Sequence, residues 1–134
     1  MVQIDLTYLG DLRVEATHGP SKTKLITDAP VDNQGKGESF SPTDLVATAL
    51  GSCMITIMGI VAKRHRINLE GTKITVKKHM VENPRRIGKL EVHFKIPGKI
   101  NEKDRKLLEN AAYTCPVHQS IHPEIEKDIK FEWE

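Results

Sequence analysis

Apolar residues take every second position at the start of the chain, with Val2, Ile4, Leu6 and Tyr8 separated by polar ones. This is the period of a half-buried β-strand. Leu9-Gly10-Asp11 interrupts the pattern as a turn, and Leu12, Val14 and Ala16 resume it, so the two runs predict a β-hairpin. Beyond the breaker His18-Gly19-Pro20, the stretch Thr23-Lys24-Leu25-Ile26-Thr27 predicts a third strand. Residues 28 to 40, with Pro30, Gly35 and Gly37, predict a polar loop.

Ser41-Pro42-Thr43-Asp44 then announces a helix. Ser41 is a good N-cap, Pro42 suits the first helical position, and Asp44 stands where a capping-box acid would. From Leu45 to Ala62 no residue is charged, which places this helix either in a protein interior or in a membrane. Its 18 residues are marginal for a span, and Thr48, Ser52, Thr56, Gly51 and Gly59 dilute its hydropathy. A long buried central helix is therefore expected, with no membrane partner.

Even spacing returns at Ile74, Val76 and Met80 and, after Asn83-Pro84, at Leu90, Val92, Phe94 and Ile96, predicting two paired strands. Asn101 with Asp104 three residues on resembles a helix cap, and Leu107, Leu108, Ala111, Ala112 and Cys115 line one face of the helix that follows. Ile129, Phe131 and Trp133 signal a closing strand. The expected class is α+β, six strands and two main helices in the order βββ-α-ββ-α-β, with residues 1–134 as a single domain. One small sheet cannot cover an apolar helix on all sides, which leaves surface for a second copy of the chain.

Composition narrows the function classes. A formal net charge of +2 is too small for a nucleic-acid footprint, which needs lysines and arginines gathered on one face. The basic run Lys63-Arg64-His65-Arg66 follows the apolar helix and suits the negative end of its dipole. The opening residues lack the n-region, h-region and cleavage site of a secretory signal, so a cytoplasmic location is expected. Two cysteines in such a protein are not a structural framework; each is core filler, a metal ligand or a redox thiol.

Cys53 lies on the apolar helix in step with Val46, Ala49, Leu50, Ile57 and Ile60, a position that suits buried filler as well as chemistry. Cys115 is followed directly by Pro116, which interrupts the helix there and is expected to expose the sulfur. A reactive thiolate needs a cation, hydrogen-bond donors or a helix N-terminus. Cys53 is about three turns into its helix, too far for its start to help, so a group from elsewhere is required. Arg13, Lys22, Lys24 and His118 are candidates. Cys115, His118 and His122 also have a Cys-x2-His-x3-His spacing that could hold zinc, with Cys53 as a fourth ligand. A third reading is a cavity that binds a small apolar molecule without catalysis.

The stretch from Ser41 to Cys53, SPTDLVATALGSC, together with Cys115-Pro116-Val117-His118, resembles the two motifs of the OsmC/Ohr family. The resemblance extends over nearly the whole chain and implies an intertwined homodimer with two buried central helices and sites at the subunit interface. It further implies that Cys53 reduces an organic hydroperoxide or hydrogen peroxide and becomes a sulfenic acid, that Cys115 resolves it as a disulfide, and that a dithiol reductant reopens the disulfide, with no cofactor. The role implied is defence against oxidative stress. The family's peroxidases carry a glutamate ten residues before the reactive cysteine, paired with an arginine; this chain has Thr43 there and Asp44 next to it. Asp44, Arg13 and His118 are thus the candidates to activate or orient the thiol.

Overall fold

A computed structural model describes residues 1–134 and shows an α+β fold of six strands and three α-helices. The chain forms two compact units, residues 1–46 and 47–134. In the first, β1 (Ile4–Gly10), β2 (Arg13–His18) and β3 (Lys24–Asp28) make an antiparallel sheet in that order. Leu6 faces Ala16, and Ala16 faces Leu25, across the ladder. The outer strand leaves Ile4, Leu6 and Tyr8 exposed, and Leu25 is exposed on the same face. The polar loop that follows contains one short 3-10 turn, Val31–Asn33.

Helix α1 (Pro42–Arg64) starts where the cap sequence predicts. The second unit carries its greater part, with β4 (Lys73–Val81), β5 (Arg86–Ile96) and β6 (Glu126–Trp133) in one sheet. β4 and β5 are antiparallel, while β6 returns parallel to β5 after α2 (Glu102–Ala112) and the short α3 (Pro116–Ser120). A parallel return needs such a crossover, because no tight turn can make it.

The core of this unit is built on the residues whose spacing marked them. Leu90, Val92, Phe94 and Ile96 on β5 are buried together with Leu50, Met54 and Met58 of α1 and Leu108 and Ala112 of α2. Phe94 stacks on Phe131 at 4.9 Å between ring centroids. Trp133 donates its indole N–H to Glu109 at 3.2 Å, tying β6 to α2. Gly51 lets α1 lie close on the sheet, since a Cβ there would stand 2.9 Å from Val76 Cγ2.

Within a single chain the cover of α1 is incomplete, in keeping with the surplus of apolar helix surface read from the sequence. Helix α1 is buried along one side only, through Ala47, Leu50, Gly51, Met54, Met58 and Ala62. Thr48, Ser52, Thr56 and Ile60, each four residues from the last, form an exposed stripe. Absence of charge does not bury a whole helix when small hydroxyl residues fill one face; the Thr56 hydroxyl is satisfied by the Ser52 carbonyl at 2.8 Å. Length and apolar composition alone would let α1 cross a membrane, but its larger side chains pack into the core of this unit. One expectation is corrected: Cys115 lies beyond the end of α2 and not on its face.

Candidate functional site

Proline explains the position of Cys115. The residue before a proline is driven out of the α region by contact with the ring, and Cys115 is extended at φ −62°, ψ 140°. α2 therefore closes at Ala112, and Pro116 opens α3 as its first residue. Cys115 becomes the N-cap of α3, with its sulfur accepting the amide N–H of His118 at 3.2 Å. The break at Pro116 does not expose the thiol, as the sequence suggested; it turns the side chain inward, and Cys115 is 0% exposed.

Cys53 is half-buried on the flank of α1, between the core side and the exposed stripe. Both cysteines are free thiols, and the Cys53 side chain lies near Cys115. Burial pushes the Cys115 thiol up from its ordinary value, and the Cys53 sulfur beside it adds to that rise. The amide N–H groups of His118 and Val117 act in the opposite sense. Cys115 is thus held toward its protonated form, chiefly by burial. Two neighbouring thiols of unequal burial are an arrangement compatible with two-electron sulfur chemistry.

Each of the other predicted site residues has its own surroundings within its unit. His118 meets Cys115 through its main chain. Its imidazole lies edge-on to Tyr113, 5.7 Å between centroids, and burial, aided by Lys127, lowers its pKa, so it supplies no cation to a thiolate at neutral pH. Asp44 is occupied by the cap: its carboxylate accepts the Ser41 amide N–H at 2.9 Å while its own N–H donates to Ser41 Oγ at 3.1 Å. Thr43 Oγ1 is 3.2 Å from the same Ser41 hydroxyl. Lys24 pairs with Glu15 at 3.3 Å, and Lys22 is exposed.

Arg13 opens β2 and is gripped by Asp28 at the end of β3, Nε to Oδ1 2.7 Å and Nη2 to Oδ2 2.8 Å. Asp28 is 1% exposed and also accepts the Glu38 amide N–H at 3.1 Å. The Arg13 guanidinium holds the Asp28 carboxyl below the usual carboxylate range, and Asp28 raises Arg13 in return. Sequence reading missed Asp28. The signal was available only through strand register, which sets Arg13 opposite Asp28.

The zinc reading is not supported. No three His, Cys, Asp or Glu side chains gather closely enough to hold one metal ion. His122 is exposed and its Nδ1 accepts the Glu124 amide N–H at 3.0 Å, while the Cys115 sulfur is buried against α3. Proline on either side, at 116 and 123, splits the would-be ligands between a cap and a surface turn. A concave space of about 490 Å³ lies at the end of α1, lined by His65, Arg66, Asn68, Lys99 and Asn101 among others, and contains neither cysteine.

Over residues 35–130 the chain matches the family model described as OsmC-like protein. The crystal structure of a candidate osmotic-stress-induced and detoxification-response protein from Psychrobacter arcticus 273-4 is 47% identical in sequence. That match has a TM-score of 0.95 and covers 98% of this chain and 96% of the other. An organic hydroperoxide resistance protein OsmC from Legionella pneumophila superposes with a TM-score of 0.78 at 18% identity, covering 98% and 96% of the two chains. An organic hydroperoxide resistance protein from Elizabethkingia anophelis gives 0.78 at 21%, covering 100% and 96%. At these lower identities the likeness is one of fold. No curated protein matches the sequence.

Proposed function

Because the chain belongs to the OsmC-like protein family, we propose that it is a thiol-dependent hydroperoxide reductase acting through Cys53 and Cys115. The observation that supports this reading is the pair itself: two free thiols near each other, one half-buried and one sealed in the core. Core filler needs no such pairing.

The Cys53 thiolate attacks the distal oxygen of the peroxide, the O–O bond breaks, and the leaving alkoxide takes a proton to become an alcohol, or water for hydrogen peroxide. Cys53 is left as a sulfenic acid. Cys115 attacks the sulfenic sulfur, the S–O bond breaks, hydroxide leaves and takes up the Cys115 proton as water, and a disulfide closes. An external dithiol supplies two electrons by thiol exchange and restores both thiols. No metal or organic cofactor enters the cycle. Substrates of this kind arise in oxidative stress, and a cytoplasmic protein defending against it is the physiological reading.

The working form is a homodimer. Ile4, Leu6, Tyr8 and Leu25 expose an apolar sheet face, and large exposed apolar patches mark interaction surfaces.

Peroxide consumption with a dithiol reductant tests the proposal. Cys53→Ser abolishes turnover, and Cys115→Ser stops after one equivalent with a persistent sulfenic acid. Equal consumption by wild type and Cys53→Ser would sink it.

A further inference from the structure

Cys115 is a single extended residue between two helical stretches. Behind it, helical turns continue past the end of α2, with the Thr114 N–H donating to the Ala111 carbonyl at 3.0 Å and the Cys115 N–H to the Ala112 carbonyl at 3.3 Å. Ahead of it, α3 begins at Pro116, and the Gln119 N–H reaches back to the Cys115 carbonyl at 3.1 Å. The Cys115 φ of −62° is already a helical value, and only its ψ of 140° departs. A swing of that one angle into the α region would run α2 into α3 as one helix.

The local element that bars the swing is the ring of Pro116, which clashes with the α conformation of the residue before it. We infer that Pro116 is a positioning residue for the resolving thiol: it holds Cys115 extended, so that main-chain N–H groups of α3 grip its sulfur. This rests on the proposed thiol cycle and adds to it the residue that prepares the second sulfur.

An N-cap side chain meets the N–H groups of its helix from extended backbone. From there Cys115 Sγ accepts the His118 N–H at 3.2 Å, and the Val117 N–H acts in the same sense. The grip matters because Cys115 is 0% exposed and must nevertheless act as a thiolate. Burial raises its pKa, and these two N–H groups are what oppose the rise. In the resolving step the Cys115 thiolate attacks the sulfenic sulfur of Cys53, the S–S bond forms and the S–O bond breaks. Hydroxide leaves, and the proton that Cys115 gave up makes it water. None of this requires an approach from solvent, since Cys53, Cys115 and α3 lie in the same compact unit, 47–134.

The test compares Cys53→Ala with Cys53→Ala/Pro116→Ala in the full chain, so that Cys115 is the one thiol to titrate. Alanine suits the first position of a helix, where its added N–H has no intrahelical acceptor to find, so the substitution removes little besides the ring. Ultraviolet thiolate absorbance against pH should place the Cys115 titration higher without the ring, because burial stays while the two N–H groups lose their hold. A merely structural proline gives the opposite sign: a loosened or unfolded segment admits water, and the titration falls toward its ordinary value. A titration that falls or does not move overturns the inference. Pro116→Ser in the same background should match Pro116→Ala, since the ring is the cause. Pro123→Ala, where the preceding residue is His122, should leave the titration in place, and an equal rise there also overturns the inference.

With both cysteines present, Pro116→Ala should lose its free Cys53 to tert-butyl hydroperoxide at the wild-type rate but close the disulfide about threefold to tenfold more slowly. The loss of thiolate sets the direction, and the greater nucleophilicity of a more basic thiolate limits the size. Closure at the wild-type rate overturns the inference. A raised titration in a protein whose wild type consumes no peroxide leaves the hold on Cys115 standing and removes the peroxidase reading. Peroxide consumption with an unmoved titration does the reverse.

Discussion

Arg13 and Asp28 face each other across β2 and β3 and join through two parallel hydrogen bonds of 2.7 and 2.8 Å, with the carboxylate buried. A guanidinium fork matched to a carboxylate fixes orientation as well as charge. The Asp28 pKa is lowered from the ordinary 3.8, first through the Arg13 hydrogen bonds. Its contribution to stability is therefore fully present above that ordinary value and is lost as pH falls through the lower, folded one. Asp28→Asn should melt at a lower temperature than wild type at neutral pH, with the gap narrowing as the solution is acidified. Thermal melts of both proteins across the acid range check this. A gap that is constant with pH would mean the pair does not titrate as described.

Gly51 and Gly59 lie eight residues apart on α1 and should respond oppositely to alanine. A Cβ at Gly51 meets Val76 Cγ2 at 2.9 Å and Ile74 Cγ2 at 3.3 Å, whereas at Gly59 nothing lies within 4 Å. Alanine raises helix propensity at both sites by up to about 1 kcal/mol. At Gly51 overpacking against a stiff β-branched neighbour outweighs this, for a net loss of about 1–3 kcal/mol. Gly59→Ala should be neutral or stabilising by up to about 1 kcal/mol. Urea unfolding of the two variants separates them. A loss at Gly59 would instead mark that face as covered by a second copy.

The elements themselves were legible because their signals are local. The strand alternation at Leu90, Val92, Phe94 and Ile96 corresponds to β5, and the Ser41-Pro42-Thr43-Asp44 cap marks the start of α1. The uncharged run of α1 also marked a helix, but it could not tell which side was buried, because threonine and serine interrupt the apolar face without adding charge. Cys115 shows a different limit. Proline after it signalled a break, yet whether the freed side chain turns out or in depends on what the next turn needs, and here α3 needs an N-cap. Asp28 was invisible because its partner lies 15 residues away and only the strand register brings them together.

The exposed sheet face gives the dimer a direct test. Ile4, Leu6 and Tyr8 alternate along β1, and Leu25 lies on the same face by way of Ala16. Wild type should sediment at twice the 15.1 kDa chain mass. Leu6→Lys puts a charge in the middle of that face and should shift the population toward monomer, since an unpaired buried charge is costly. Its circular dichroism should stay that of a folded protein, because Leu6 is 65% exposed in the single chain. Unchanged mass in Leu6→Lys would move the interface elsewhere.

The Cys115 thiol should respond to the loss of its Cys53 neighbour. Cys115 is raised from the ordinary 9.0, mainly by burial and in part by Cys53. Replacing Cys53 by alanine removes the second cause, so the Cys115 thiolate should appear at lower pH in Cys53→Ala than in wild type, while burial keeps it above the ordinary value. Ultraviolet thiolate absorbance against pH gives the comparison, with Cys115→Ala as the control that assigns the Cys115 signal. The same shift has a stability consequence of definite sign. Above the ordinary value the unfolded chain ionises this thiol while the folded chain keeps its proton, so wild type loses stability as pH rises through that window. Cys53→Ala should lose less over the same window, and a Cys115 titration unmoved by the substitution would show that the two sulfurs do not interact.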